Sequence, residues 1–149
     1  MSATQAAMKI RKVKLADAER LAVLSGQLGY PATTKQIVAR LRSVLRAKNG
    51  VCFVAETKAH GVIGWGHVTV IPLLEVELRA ELHGLVVDEQ VRSCGAGGKL
   101  LQAVERWARK QRCKGVSVRS NVIRERAHGF YLKHGYEHYK TQKAFRKTL

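Results

Sequence analysis

Apolar and polar residues alternate over Lys9-Ile10-Arg11-Lys12-Val13, which predicts a short strand, and the apolar period then lengthens. Leu21, Val23, Leu24 and Leu28 recur at helical spacing through Ala16 to Leu28, with Asp17 and Glu19 near the start, where a helix favours negative charge. Gly29-Tyr30-Pro31 breaks that helix. Thr33 with Gln36 three residues on has the spacing of a capping box for a second helix carrying Ile37, Val38, Leu41, Val44 and Leu45, closed by Asn49-Gly50. Val51 to Ala55 and Val62 to Ile71 read as two strands joined by a hairpin at Lys58-Ala59-His60-Gly61.

Glu77 to Val87 reads as a further strand. Strict alternation would put Glu81, His83, Leu85 and Val87 on one face and Leu82, Gly84 and Val86 on the other, with Gly84 marking a bulge or a close approach. Leu100, Leu101, Val104, Trp107 and Ala108 form a helical stripe, and Val116-Ser117-Val118 resumes a strand. Arg124 to His134 predicts a last helix, and Tyr136 to Tyr139 with Ala144 to Arg146 a terminal antiparallel pair. These elements sum to an α/β layered fold, a mixed and mostly antiparallel sheet of about six to seven strands flanked by about four helices. Residues 1–7 are expected to be a loose tail and 8–149 a single domain.

Composition changes this picture in one respect. The chain of 149 residues carries 27 Lys and Arg against 11 Asp and Glu, a net charge of +16 that attracts polyanions. Glu75, Glu77, Glu81, Asp88 and Glu89 crowd one short segment, whereas the C-terminal third is basic. Cys52, Cys94 and Cys113 make neither a disulfide framework nor a paired metal motif, which points to a reducing cytoplasm. No secretory leader or membrane-length apolar run is expected, so a membrane is not a predicted partner. The histidines show no HExxH or comparable pattern, and no metal is expected.

The candidate chemistry starts at Val91-Arg92-Ser93-Cys94-Gly95-Ala96-Gly97-Gly98-Lys99-Leu100-Leu101. Glycines opening a helix offer bare backbone N–H groups beside the positive end of the helix dipole, which suits phosphate oxygens. A nucleotide P-loop is excluded because GxxxxGK[ST] is missing. The dinucleotide fingerprint GxGxxG is excluded because position 100 is Leu.

What remains, Arg92-x-x-Gly95-x-Gly97 followed by Leu100, resembles the pyrophosphate loop of the GNAT superfamily of acetyl-CoA-dependent N-acetyltransferases. Asn121, Ala127, Phe130, Tyr131, Lys133, Gly135 and Tyr136 resemble that superfamily's second signature, in the right order. Ser93 stands where many relatives carry Gly, and Ala96 where a larger aliphatic is common. The resemblance implies acetyl-CoA as cosubstrate, bound by Arg92, by the backbone from Ser93 through Cys94, Gly95, Ala96 and Gly97 to Gly98, and by Asn121, whose other reading is a helix cap. It also implies a strand bulge that turns backbone groups of Leu85, Val86 and Val87 to the ligand, Val87 polarising the thioester carbonyl.

By the same resemblance Glu81 is the general base and Tyr131 the acid at the departing thiolate. His83 is a second candidate base, since an imidazole titrates near neutrality, while Glu81 as an ion-paired carboxylate and Tyr131 as a packed aromatic stay open. Cys94 as an acyl carrier is disfavoured, because it would sit at the phosphates. Tyr30 and Glu75 fall in regions that line acceptor sites of such folds, and join Glu81 and His83 as substrate candidates.

The expected function is transfer of an acetyl group to a primary amine of a small molecule, such as an amino-sugar, with a homodimer implied by analogy. Arg119-Ser120-Asn121 keeps a protein N-terminus or lysine acceptor open. The rivals of another class are a CoA sensor without turnover and a basic nucleic-acid-binding module. No helix-turn-helix, zinc or RNP pattern supports the latter, and nucleic acid is not an expected partner.

Overall fold

The computed structural model describes residues 7–92 and 94–149. The chain divides into two compact units, the first ending at Val118 and the second running from Arg119 to Leu149. Residues 1–6 of the expected tail, and Ser93, lie outside the described residues.

The first unit holds a five-stranded sheet in the order β1-β2-β3-β4-β5. The strands are β1 (Lys9–Lys12), β2 (Gly50–Thr57), β3 (Gly61–Val70), β4 (Ala80–Val87) and β5 (Val116–Val118). The first four are antiparallel neighbours, and β5 joins β4 in parallel after a helical crossover. Three helices cover this sheet: α1 (Ala18–Leu28), α2 (Thr34–Arg46) and α3 (Ala96–Lys110). No described helix is long and apolar enough to cross a membrane.

The predicted caps are present. Thr33 Oγ1 accepts from the Gln36 N–H at 3.1 Å while Gln36 Oε1 accepts from the Thr33 N–H at 3.0 Å, which satisfies two donors at the start of α2. Gly29 ends α1 at φ 99, a left-handed conformation that only glycine adopts cheaply.

Each face of the sheet buries its own cluster. Leu21, Leu24 and Leu41 from α1 and α2 pack with Cys52, Val54, Val62 and Val86, and Trp65 packs against them. Ala96 and Leu100 from α3 pack with Ala55 and Ile63 on the opposite face, joined by Leu85, Val87 and Cys94. Leu24, Ile63 and Leu100 are fully buried, so truncating any of them to Ala would cost about 2–5 kcal/mol.

Near β1, Arg11 donates to both Asp17 oxygens at 2.9 Å and to Glu56, holding the start of α1 to the sheet edge. Burial would raise the Asp17 carboxyl, but the Arg11 hydrogen bonds and the Lys14 N–H hold it below its ordinary value.

In the second unit α4 (Glu125–Lys133) ends at Gly135, φ 88. Phe130, Tyr131, His134 and Tyr136 form its aromatic cluster. The expected terminal strands at 136–139 and 144–146 do not form, so the sheet has five strands rather than six to seven. Tyr139 and Phe145 are 67% and 90% exposed among lysines, and a two-stranded ribbon with no buried face is not stable by itself.

Candidate active site

β4 positions most of the predicted residues, and its geometry departs from simple alternation. Val68 pairs with Leu82 but His67 pairs with Gly84, so His83 is an extra residue without a partner on β3. This is a β-bulge, and it reverses the side-chain phase of the strand. Gly84 and Val86 face α1: a Cβ on Gly84 would lie 2.7 Å from the Trp65 ring and 3.5 Å from Leu28, and Val86 belongs to the α1 cluster. Leu85 and Val87 pack on the α3 side. Glu81 pairs with Thr69, two residues from His67, and His83 accepts or donates a 2.7 Å bond to Thr69 Oγ1.

Glu81, His83, Gly84 and Val86 therefore share the α1 side, while Leu82, Leu85 and Val87 share the other. The expected grouping of Glu81 and His83 with Leu85 and Val87 is corrected, as is that of Leu82 with Gly84 and Val86. Both readings offered for Gly84 hold, since it adjoins the bulge and lets the Trp65 ring approach its backbone.

The bulge also leaves a row of polar side chains on the α1 side. His67 and His83 have ring centroids 5.4 Å apart, and His67 stands opposite Cys52 on β2. Burial, and then His83, hold His67 below its ordinary value, so the imidazole is neutral at neutral pH. Burial pushes the Cys52 thiol up to about 12, which keeps it protonated beside His67. Glu81 is half-buried and engaged in polar interaction.

On its other edge β4 pairs with β5 only at Ala80, Glu81 and Leu82. Beyond Leu82 the two strands of this unit part. In an antiparallel ladder alternate residues bond to the neighbouring strand. The Asp88 N–H donates to the Ile63 carbonyl at 2.7 Å, so Val86 and Gly84 are inward too, and the backbone groups of Leu85 and Val87 turn to the parted edge. The Val87 carbonyl there meets Arg92 Nε at 3.5 Å.

The glycine loop continues from this edge. Gly95 caps α3 at φ 88, and its carbonyl accepts the Lys99 N–H at 3.1 Å. The N–H groups of Ala96, Gly97 and Gly98 are the first-turn donors that no helical carbonyl can satisfy. Arg92 is exposed beside them, Ala96 is buried in the α3 cluster, and Cys94 packs against that cluster. Asp88 anchors the approach: it accepts from Arg20 at 2.9 Å, from Gln27 at 3.3 Å and from the Gln90 N–H at 3.0 Å, tying the end of β4 to α1. The bond to the Gln90 N–H, against some burial, and those from Arg20 and Gln27 hold its carboxyl below the ordinary value.

In the second unit Asn121 is a turn residue, with Oδ1 accepting the Ile123 N–H and its carbonyl accepting from Arg124 and His128. Burial pushes the Tyr131 phenol up to about 12, partly offset by Arg124. Of the acceptor candidates, Tyr30 is 70% exposed after α1, and Glu75 is exposed in the bend before β4.

Sequence reasoning missed His67, Thr69, Arg20 and Gln27, because cross-strand and helix-to-strand partners 14 to 68 residues away leave no local pattern. Among the described residues no group of three or more His, Cys, Asp or Glu could hold a metal.

The model of the acetyltransferase (GNAT) family matches residues 18–136. No curated protein sequence matches the chain. Among solved structures, the aminoglycoside N-acetyltransferase AAC(6')-Iy in complex with CoA superposes with a TM-score of 0.84 at 20% identity, covering 95% of each chain. The aminoglycoside antibiotic 6'-N-acetyltransferase AAC(6')-Ih from Acinetobacter baumannii gives 0.83 at 18% identity over 95% of this chain and 99% of that one. A GNAT family acetyltransferase from Staphylococcus aureus gives 0.75 at 20% identity, covering 96% and 99%. The fold is shared throughout, and with four-fifths of its length matched by the family model the chain belongs to the GNAT family of N-acetyltransferases.

Proposed function

We propose that the protein transfers the acetyl group of acetyl-CoA to a primary amine of a small molecule, with an amino-sugar as the first acceptor class to test. One observation carries the reading: β4 leaves β5 after three paired residues, turns the Leu85 and Val87 backbone to the gap, and leads into a glycine-capped helix. That edge fits a ligand with amide groups followed by phosphates. The Leu85 and Val87 N–H groups would pair with the amides or polarise the thioester carbonyl, and the Ala96 to Gly98 N–H groups with Arg92 would hold the pyrophosphate. When bound, acetyl-CoA supplies the activated acyl group.

The chain's residues supply alignment and proton handling. Glu81 and His83 stand on the α1 side of β4, and Tyr30 follows the end of α1, exposed to solvent. The Glu81 and His83 side chains there would hold an ammonium group and take its proton. Tyr131 stays protonated across the working pH range. A phenol near 12 is a weak acid beside a thiol of about 8.5. Hydrogen-bond donation to the developing thiolate, rather than early ionisation, is therefore its contribution. Asn121 spends Oδ1 on its own turn, which leaves the carboxamide nitrogen for a ligand carbonyl. The amino-sugar class draws further support from the two aminoglycoside acetyltransferases that share the fold.

An amine-panel assay reading free CoA release tests the function. Turnover on amino-sugars above that on peptides supports the proposal, whereas turnover on peptide amines alone replaces the acceptor class. Acetyl-CoA at about a hundred times its Kd should stabilise the chain by about 2.7 kcal/mol, and no thermal shift would defeat the donor assignment. Tyr131→Phe should lower kcat about a hundredfold with acetyl-CoA affinity unchanged; equal turnover would remove Tyr131 from the mechanism.

A further inference from the structure

Most of the net charge of +16 has no role in the acetyl-transfer reading, and the first unit concentrates part of it at one end. The sequence from Arg40 to Lys48 carries four cations and that from Arg106 to Lys114 five, with no acidic residue in either run. The two runs comprise the C-terminal parts of α2 and α3 and the few residues after each helix. One or two cations per helix end would suffice to complement the dipoles. None of these nine enters the ion pairs that Arg11 makes with Asp17 and Glu56, or Arg20 with Asp88.

Both runs border one concavity, and the second run borders another beside it, with Trp107 lining both. A cavity of about 320 Å³ is walled by Lys12, Lys48, Gln111, Trp107 and the first residues of β2. A second, of about 160 Å³, is walled by Arg106, Lys110, Phe53 and again Trp107. Among the described residues no acidic side chain lines either one. They lie where β2 begins, the end of the sheet opposite the glycine loop, because β2 and β4 run the same way through the ladder and the loop follows the end of β4. Lys48, Arg106 and Lys110 are exposed, while Trp107 and Phe53 are half-buried.

We propose that this basic double groove binds single-stranded nucleic acid, phosphates tracking Lys12, Lys48, Arg106 and Lys110 and a base stacking at Trp107. Charge complementarity argues for the polyanion. An aromatic shared by two cation-rimmed hollows argues for a strand with unstacked bases over a duplex, whose bases are turned inward. The recognition is insensitive to sequence, since stacking and phosphate contacts accept any base and Gln111 is too little to read a series of base edges. It is independent of the acetyl-transfer site and does not rest on that assignment.

The test is fluorescence anisotropy of a labelled single strand of about 12 nucleotides on the full chain. Binding should weaken as salt rises, with a log–log slope of about 0.7 per phosphate engaged. The triple variant Lys48→Gln, Arg106→Gln, Lys110→Gln changes only exposed side chains; it should lose at least tenfold in affinity and reduce the slope by about 2. Its circular dichroism spectrum and melting temperature should not change, which shows that the chain is folded. An abasic strand of equal phosphate number should bind several-fold more weakly. Equal binding by the abasic strand or by polyglutamate, or an unaltered affinity in the triple variant, would overturn the proposal.

Discussion

The two ends of the sheet in the first unit both suit anions, yet they are built from different materials. At the glycine-loop end the donors are backbone N–H groups fixed by the start of α3, with the exposed Arg92 guanidinium beside them. At the other end the charges sit on long side chains around Trp107. Backbone donors are immobile and cannot be supplied elsewhere on the helix, so they select one ligand position. Lysines and arginines move, adapt and are screened, so they suit a repetitive partner.

The contrast breaks most sharply at Gly97. Gly97→Glu adds a carboxylate that a helix start tolerates but a pyrophosphate does not. Acetyl-CoA affinity should fall about a hundredfold in calorimetric titration with oligonucleotide anisotropy unchanged. Salt discriminates next. Between about 50 and about 200 mM, oligonucleotide affinity should drop about 50-fold for roughly four phosphates engaged, against less than about tenfold for acetyl-CoA. Comparable losses would mean that both ends bind by diffuse charge.

A third variant falls between the ends. Gly84→Ala puts a methyl group 2.7 Å from the Trp65 ring. Urea unfolding should report a loss of about 1–3 kcal/mol, with both ligands still bound. The smallest effect is expected at His67, which is faced by His83 from β4 and Cys52 from β2. Its pKa lies below the unfolded value of about 6.5, so the fold disfavours its proton. Stability from this source is full above that pH and is lost as pH falls through the folded value. His67→Gln should make the acid-side decline shallower; an unchanged slope would locate the titration elsewhere.

Much of this was legible in the chain. The Thr33 and Gln36 box, the hairpin after Lys58 and the α3 stripe are local periodic signals, and each element formed within a few residues of its expected bounds. Gly95, Gly97 and Gly98 announced the helix start that follows β4, because backbone chemistry is written in adjacent residues. Gly84 signalled a bulge in β4, but not the phase it sets, because which residue is left over, His83, is decided by pairing with β3. Nor was the basic end legible, since two runs about 60 residues apart meet only through packing on β2. The terminal strands failed for the converse reason: Tyr136 to Tyr139 has strand composition but no apolar face to pack.

The extra residue at His83 carries a lesson for anyone wishing to retarget the enzyme. A library that randomises every second position from Glu81 would vary the proposed acceptor side at 81 and 83, then pass through the sheet and disrupt the α3 packing at 85 and 87. Diversity placed at 81 and 83, with 84 kept as glycine, stays on one side of the strand. The bulge thus separates the positions proposed to meet the acceptor from positions where change unmakes the scaffold.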